Sequence, residues 1–263
     1  MSDDTQNQLV TYSTEHGVAT VTLNSDSNRN ALSTPLMRQL LTHLDTAAAS
    51  DDVRVVVLSH AGRVFCSGAD LKETAAAREA GEVPAALLTD VLAKMWQFEK
   101  PIVARVAGPA RAGGLGLIAA ADIAVCAAES TFAFTEVRLG VTPAVISATV
   151  LKRLRPRDAS ELYLTGTVFD GRRAEAIGLV TRAVPAVDVD IAVAGYTEDL
   201  IKGAPDALAG AKTLLRQDDT DIREELDTLA QTSAKYFLSE EGREGVAAFA
   251  QKRSPSWVPT KDN

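Results

Sequence analysis

Two glycine-flanked turns in the sequence precede helical segments and have backbone amides that can bind an anion. In residues 61–72 a β-type run ends at a turn around Ala69, where the N–H groups are free to point into a cleft. In residues 102–117 a second strand leads to Gly113, where a helix begins with unpaired amides at the positive end of its dipole. Two such amides together form a hole for a developing negative oxygen, as in an enolate or a tetrahedral intermediate.

The third chemical feature is the carboxylate of Glu136. Phe132, Phe134 and Glu136 occupy alternate positions, so in an extended backbone their side chains share one face. The carboxylate then lies against aromatic surface, where burial raises its pKa and prepares it to act as an acid or a base near neutral pH. A surface ion pair with Arg138 or Arg153 is the simpler alternative for this glutamate.

Each glycine turn also has an alternative explanation. Gly68 taken alone is explained by a strand-to-helix connection that needs an unusual dihedral angle. Gly114, Gly116 and Ala119 match the spacing of a dinucleotide-binding fingerprint, which would indicate an oxidoreductase. However, six residues separate Val106, the last residue of the strand, from the glycine pair, whereas a dinucleotide loop follows its strand at once in an early βαβ unit.

Hydrophobic periodicity predicts the elements that position these turns. The predicted strands are residues 9–15, 18–23, 53–58, 101–106 and 122–127, and the predicted helices follow Ser33, cover residues 85–99 and begin near Gly113. Alternating strands and helices are typical of an α/β fold. From about Ala144 the pattern is mostly helical. No flexible linker interrupts the chain, so we expect a core of residues 1–185 and a helical region of residues 186–263 that form one functional unit.

The composition excludes several classes of protein. The chain has 263 residues, of which 46% are hydrophobic and 24% are charged, as in an ordinary globular protein. Its net charge of -8 disfavours nucleic acid or an anionic membrane as a partner. Cys66 and Cys126 lack disulfide or zinc spacing, so we predict buried thiols and no metal site. Residues 1–8 lack the features of a secretory signal, and we therefore expect a cytoplasmic protein.

A series of ordered motifs resembles one protein family over nearly the whole chain. The motifs are Leu23-Asn24, Arg29-Asn30-Ala31-Leu32-Ser33, residues 65–72, residues 101–104, Gly113-Gly114, residues 121–123, Thr131-Phe132, residues 136–140, residues 164–166, residues 176–180 and Phe249-x-x-Lys252-Arg253. In this order and at these intervals they resemble the crotonase family, the enoyl-CoA hydratase/isomerase superfamily. Residues 114–118 and 135–147 are similar to the bacterial branch that includes methylglutaconyl-CoA hydratases.

The resemblance implies a fold, a substrate and a set of site residues. The implied α/β fold is a crotonase-type spiral of β-β-α turns with a C-terminal helical trimerisation region, assembled as a homotrimer or hexamer. The implied substrate is an acyl-CoA thioester, and because coenzyme A is part of it no other cofactor is expected. By resemblance, the N–H groups of Ala69 and Gly113 hold the thioester oxygen, and Glu136 is a catalytic carboxylate. The implied substrate-binding positions are Arg29 and Lys72 near the CoA phosphates and adenine, together with Ala31, Gly68, Asp70, Gly114, Gly116, Phe249 and Lys252.

Two positions depart from the family pattern. Hydratases with two carboxylates have Glu three residues after the glycine of the hole, where this chain has Gly116. A gap at Gly116 would admit a water or a branched acyl group, and Glu136 would then transfer both protons unless that water shuttles one. Arg111 stands where an apolar or small residue is usual. Its interpretations are a solvated or trimer-contact residue, or a partner for an acidic substrate group or a CoA phosphate.

The expected activity is the reversible addition of water to a 2-enoyl-CoA, in fatty-acid or branched acyl-CoA degradation. Three alternatives remain open. One is an enoyl-CoA delta-isomerase that uses Glu136 alone to move a proton from C2 to C4. The others are a different CoA lyase or hydrolase, and a CoA-ester-binding protein with little activity.

Overall fold

Strands and helices alternate along the chain up to a helical C-terminal region. The structure is a computed structural model that describes residues 8–79, 85–216 and 221–259. The prediction that residues 1–8 are not a secretory signal therefore concerns a segment of which residues 1–7 lie outside the described residues. The strands in these ranges are β1 Val10–Glu15, β2 Val18–Leu23, β3 Val55–His60, β4 Ile102–Val106, β5 Ala110–Arg111, β6 Ile123–Ala127, β7 Thr131–Ala133, β8 Phe169–Asp170 and β9 Arg182–Val184. The helices are α1 Thr34–Ala49, α2 Leu71–Glu79, α3 Ala85–Gln97, α4 Gly113–Ala120, α5 Ala144–Val150, α6 Pro156–Thr165, α7 Gly171–Ala176, α8 Val189–Ile201, α9 Pro205–Leu214, α10 Ile222–Phe237 and α11 Glu240–Ala250.

Local signals in the sequence predicted the boundaries of β1, β2, β3, β4, β6 and α3 to within a few residues, whereas the short strands β5, β8 and β9 were not predicted. Ser33 caps α1 as expected, since its Oγ accepts the amide of Leu36 at 3.4 Å and Pro35 lies in the first turn. The strand predicted at residues 53–58 instead begins at Val55. The amide of Val53 donates to the carbonyl of Ser50 in the turn after α1, and this bond delays the start of the strand.

A six-stranded sheet in the order β1-β2-β3-β4-β6-β9 forms the centre of the fold. β1 and β2 form an antiparallel hairpin, and all other neighbours in this sheet are parallel. All six residues of β3 are buried, because Val56 and Leu58 face the main core while Val55 and Val57 face a second cluster that includes α8. Helices therefore cover both faces of the sheet, as its continuous apolar runs predict.

A small sheet in the order β5-β7-β8 gives the fold its spiral character. Cys66 extends this sheet through an isolated parallel bridge to Ala110 in β5. Each of β3, β4 and β6 is thus followed within a few residues by a segment of the small sheet and then by a helix. This succession is the predicted spiral of β-β-α turns.

The described elements after β9 are all helical. α8 covers the second face of the large sheet, while α10 packs on α3 and α5 and buries Ile222 and Leu226 in the main core. The helical region therefore shares its core with the α/β part. α11 contacts the turn that follows β7, which carries Glu136.

The composition also predicts the state of the two thiols and bears on metal sites. Cys66 and Cys126 are free and buried, as predicted, and burial raises the pKa of each thiol to about 12, so neither is an activated nucleophile. No helix within the described ranges combines the length and apolarity needed to cross a bilayer. The same residues contain no cluster of His, Cys, Asp or Glu side chains that could hold a metal ion.

Candidate active site

Three chain segments leave the small sheet at the same edge. Cys66 lies parallel to β5 through Ala110, and β5 lies parallel to β7 with Arg111 opposite Ala133. Neighbouring parallel segments run in one direction, so the residues that follow them emerge together. The residues that follow are Ala69, three positions after Cys66, Gly113, two positions after Arg111, and Glu136, three positions after Ala133. The topology brings the three predicted catalytic residues to one edge.

The amide of Ala69 faces away from the chain segment beside it. Leu32 forms a parallel bridge with Ala69 and donates its own amide to the carbonyl of Gly68 at 2.8 Å. In a parallel bridge of this kind, the N–H of Leu32 points toward the segment of Ala69, whereas the N–H of Ala69 points away from the segment of Leu32. Ala69 is exposed, and its amide has no acceptor among the residues that the structure describes. This donor is available to a ligand.

The amide of Gly113 is held at the start of the buried helix α4. As the first helical residue it has no partner within the helix, and it has no other acceptor in the described part of the chain. Ala112 before it has φ 47° and ψ -119°, a strained conformation for a residue with a side chain. The Ala112 carbonyl accepts the amide of Leu115 at 2.9 Å, which fixes this first turn.

Close packing joins the two turns that carry these amides. Gly68 has φ +96°, and a Cβ added there would lie 3.0 Å from the Cβ of Ala112. A Cβ added at Gly114 would lie 2.7 Å from the Cβ of Cys66. Ala69 and Gly113 directly follow Gly68 and Ala112, so each amide lies one residue beyond the contact of the turns. Gly68 and Gly114 therefore permit the approach of the two backbones.

Glu136 is buried, but it does not lie on an extended face. β7 ends at Ala133, and Glu136 begins a short 3-10 helix, Glu136–Leu139, which is capped by Gly140. The expectation that Glu136 continues the face of Phe132 and Phe134 is therefore wrong, because the strand is too short. The expectation of burial is confirmed, since Glu136 is 8% exposed and its Oε2 has no hydrogen-bond partner among the described residues. Burial raises the pKa of Glu136 from 4.5 to about 7.

The alternative of a surface ion pair for Glu136 is also wrong. Arg138 donates from Nε and a terminal nitrogen to the carbonyl of Thr165, at 3.1 Å and 2.9 Å. Arg153 donates to the carbonyls of Ala119 and Ala121, both at 3.0 Å. Both guanidinium groups thus bind main-chain oxygens, and the Glu136 carboxyl keeps the properties of a buried acid.

The raised pKa predicts how stability depends on pH. Between pH 4.5 and about 7 the folded chain holds a proton on Glu136 that the unfolded chain has lost, so the free energy of unfolding falls as the pH rises. Glu136→Gln is neutral throughout. We therefore expect its free energy of unfolding to rise by about 3 kcal/mol relative to that of the native chain between pH 4.5 and about 7. Urea unfolding at several pH values measures the difference, with Glu129→Gln at an exposed position as the control. A difference independent of pH would contradict the burial of an ionisable Glu136.

Aromatic and hydroxyl groups around Glu136 were missed by the sequence analysis. The ring of Tyr163 on α6 packs against Phe134 with centroids 4.7 Å apart, and its hydroxyl lies 3.4 Å from Oγ of Ser147 on α5. Burial raises the pKa of Tyr163, and the charge of Glu136 raises it further. Tyr163 follows Glu136 by 27 positions, and no spacing rule connects two residues so far apart.

The space at Gly116 is filled by neighbouring side chains. A Cβ added there would lie 2.7 Å from Cγ2 of Ile146 and 3.4 Å from Cδ2 of Leu92. The expected gap for a water or a branched acyl group is therefore contradicted. Ile146 on α5 and Leu92 on α3 occupy the direction in which a side chain at Gly116 would extend.

The predicted binding residues form two groups. Around the Ala69 turn, the amide of Ser67 donates to the carbonyl of Arg29 at 3.1 Å, and Oδ1 of Asp70 accepts the amide of Lys72 at 2.9 Å. Arg29 and Lys72 are exposed here, Ala31 is buried, and Asp70 caps the start of α2. The second group, Phe249 and Lys252, is exposed at the end of α11.

Arg111 is engaged within its own chain. Its guanidinium donates to the carbonyls of Ala110 and Thr131, at 2.8 Å and 2.6 Å, and to Oγ1 of Thr131 at 3.1 Å. These contacts join β5 to the start of β7. Arg111 therefore supports the small sheet, which neither of its sequence interpretations anticipated.

Comparisons with known proteins agree with this architecture. A family model described as enoyl-CoA hydratase/isomerase matches residues 13–260. The 2,3-dehydroadipyl-CoA hydratase of Escherichia coli is 31% identical over 252 residues, which are 93% of this chain and 96% of that protein. The crystal structure of an enoyl-CoA hydratase from Mycobacterium avium has a TM-score of 0.85 at 43% identity and covers 95% of this chain and 99% of its own. A methylmalonyl-CoA decarboxylase in complex with 2-nitronate-propionyl-CoA has a TM-score of 0.83 at 26% identity, with coverage of 96% and 99%.

The fold is that of a crotonase-type enzyme. Because the family model spans nearly the whole chain, the protein belongs to the enoyl-CoA hydratase/isomerase family. Enzymes of this family act on acyl-CoA thioesters. The oxidoreductase interpretation of Gly114, Gly116 and Ala119 has no support, since α4 follows a strand of the small sheet and not the first strand of a βαβ unit.

Proposed function

We propose that this protein is an enoyl-CoA hydratase-like lyase that adds water reversibly to a 2-enoyl-CoA thioester. The observation that carries the proposal is the convergence of the free amides of Ala69 and Gly113 and the buried carboxyl of Glu136 at one edge of the small sheet. The two amides bind the thioester oxygen, on which negative charge accumulates as the enolate forms. Coenzyme A arrives as part of the substrate, so the reaction needs no separate cofactor.

One carboxylate is sufficient for both proton transfers of this reaction. Ionised Glu136 takes a proton from water as the water oxygen bonds to C3, and the C2=C3 electrons move onto the thioester oxygen held by the amides. The enolate then collapses, and C2 takes the same proton from Glu136. The net change is the addition of one water, and Glu136 is regenerated. A pKa of about 7 suits this double role, since the group must both accept and donate a proton near neutral pH.

The exposed cations support binding of the CoA part of the substrate. Arg29 and Lys72 flank the Ala69 turn and are available to the phosphates, while Phe249 on α11 and Lys252 just after it offer an apolar and a cationic contact. We propose a homotrimer or a hexamer in the cytoplasm, active in fatty-acid or branched acyl-CoA degradation. Neither nucleic acid nor a membrane is a proposed partner.

An enoyl-CoA delta-isomerase is the second candidate, favoured by the apolar surroundings of Gly116. Ile146 and Leu92 fill the position from which a second carboxylate would project. With Glu136 alone, the enzyme would take a proton from C2 of a 3-enoyl-CoA and return it to C4. The same single-carboxylate site is compatible with a CoA-ester-binding protein of low activity.

An isotope experiment separates these functions. Crotonyl-CoA and a 3-enoyl-CoA are incubated separately with the protein in heavy-oxygen water, and the products are analysed by mass spectrometry. From crotonyl-CoA we expect a 3-hydroxyacyl-CoA that carries heavy oxygen taken from the water. Bond migration in the 3-enoyl ester without heavy oxygen would favour the isomerase, and binding of both esters without reaction would favour the low-activity alternative.

A further inference from the structure

The C-terminal helix α11 touches the Glu136 turn backbone to backbone. A Cβ added at Gly245 on α11 would lie 2.2 Å from the carbonyl oxygen of Leu139, in the turn. On the other side of the contact, Gly140 has φ +69°, and a Cβ added there would lie 2.2 Å from the carbonyl oxygen of Glu241. Both distances are far below those of real Cβ contacts. Glycine on each element is therefore required for this approach.

The contact lies close to the catalytic carboxyl along the chain. The turn runs from Glu136 to Leu139, and its closure depends on the amide of Val141, which donates to the carbonyl of Glu136 at 3.1 Å. Leu139 and Gly140 lie between these two residues, so a shift of their backbone moves the Glu136 backbone as well. Arg138 ties the same turn to the end of α6 through the carbonyl of Thr165. The turn is thus held between α6 and α11.

α11 itself is anchored at both ends. Oγ of Ser239 caps its start by accepting the amide of Gly242 at 3.0 Å. Beyond its end, Arg253 donates to both carboxylate oxygens of Glu244, at 2.6 Å and 2.9 Å, and the amide of Ser256 donates to Glu244 at 2.7 Å. Ala248 is fully buried between these anchors. A helix fixed in this way provides a rigid support for the turn.

We propose that Gly245 is a positioning residue through which α11 sets the place of the Glu136 carboxyl in the active site. Gly245 touches no substrate in this assignment and acts through the carbonyl of Leu139. The inference rests on the proposed function, because it assumes that Glu136 transfers the proton. It assigns to the C-terminal helix a role in the chemical step in addition to any contact of Phe249 or Lys252 with the substrate.

Gly245→Ala tests the proposal through the separation of kcat from KM. The added methyl group forces the turn or the helix to move by about 1 Å, a displacement that lowers the rate of a positioned reaction by about tenfold to a hundredfold. We expect kcat for crotonyl-CoA hydration to fall by this factor while KM changes by less than about threefold, since the amides of Ala69 and Gly113 are untouched. An unchanged kcat, or a loss confined to KM, would overturn the proposal.

Two control variants separate positioning from stability. Gly195→Ala on α8 adds a methyl group that lies more than 4 Å from every described residue outside its own helix, and it controls for helix propensity. Val193→Ala, in the apolar cluster on the other face of the large sheet, is expected to lower the melting temperature without lowering kcat. If Val193→Ala, at equal loss of melting temperature, lowers kcat as much as Gly245→Ala, the effect is one of stability and the proposal fails.

A measurement on the native chain covers the case in which Gly245→Ala does not fold. Butyryl-CoA, a saturated ester that cannot be hydrated, is added during hydrogen exchange. We expect the amides of residues 137–141 and 240–246 to be protected together, whereas protection of the turn without α11 would overturn the proposal. Failure of the proposed function is recognised separately, because the native chain would then not hydrate crotonyl-CoA, or Glu136→Gln would hydrate it at the native rate, whatever the result at Gly245.

Discussion

Glu136→Gln is expected to lower kcat for crotonyl-CoA hydration by about a hundredfold to ten-thousandfold, the range of general acid–base catalysis. Gln has the shape of the protonated acid but neither accepts a proton from water nor returns one to C2. Because the side chain is buried and its Oε2 makes no hydrogen bond within the described residues, the substitution removes no structural bond of that oxygen. Steady-state kinetics measure the loss, and calorimetric titration with butyryl-CoA is expected to show binding within about threefold of the native value.

The control for this variant is Glu129→Gln, the same change at an exposed position. It should leave both kcat and binding unchanged. A Glu136→Gln enzyme with full activity would remove this residue from the mechanism. Loss of butyryl-CoA binding in parallel with activity would instead indicate that Glu136 holds the site together, because a group that acts only on protons does not change the affinity for an unreactive ester.

The free amides of Ala69 and Gly113 were predictable because their signals are local. A glycine before a helical run marks a backbone turn with a positive φ, and the first amides of any helix lack partners. Gly68, with φ +96°, matches the first rule, and Gly113, at the start of α4, matches the second. The strand and helix alternation likewise follows from periodicity alone. Local rules did not show that the two turns touch, since that contact depends on the bridge between Cys66 and Ala110.

The surroundings of Glu136 were only partly predictable. Alternation of Phe132, Phe134 and Glu136 correctly indicated burial, but a strand that ends at Ala133 gives the glutamate another backbone conformation. The length of such a short strand depends on its pairing with β5 and β8, which is a tertiary property. Tyr163 and Gly245 reach the turn from distant parts of the chain, and pattern analysis does not register contacts of that kind.

Gly116 shows why an absent side chain does not predict a cavity. The sequence shows only that the carboxylate is missing. In the structure Ile146 and Leu92 approach the glycine so closely that even a Cβ would collide with Ile146. Protein interiors are packed to the density of organic crystals, so a small residue at a buried helix face is normally met by a larger neighbour. The departure from the family pattern therefore changes the polarity of the site and does not enlarge it.

Gly68→Ala is expected to lower kcat by about a hundredfold or more, because it displaces one donor of the proposed oxyanion hole. At φ +96° an added Cβ is strained, and it would stand 3.0 Å from the Cβ of Ala112, directly between the turns that carry the two amides. Separation of the turns lengthens at least one hydrogen bond to the thioester oxygen. The bond to the enolate weakens more than the bond to the neutral ester, so kcat falls more than binding of butyryl-CoA.

Gly17→Ala supplies the matched control for this last variant. Gly17 has φ +81° in the hairpin between β1 and β2, and an added Cβ there meets the flexible side chain of Arg54 at 3.2 Å. Both substitutions therefore carry a left-handed backbone penalty of about 1–2 kcal/mol, which thermal unfolding measures. Only Gly68→Ala moves an amide of the hole. If the two variants lose the same stability and neither loses more than about twofold in kcat, the N–H of Ala69 is not a donor to the reacting oxygen.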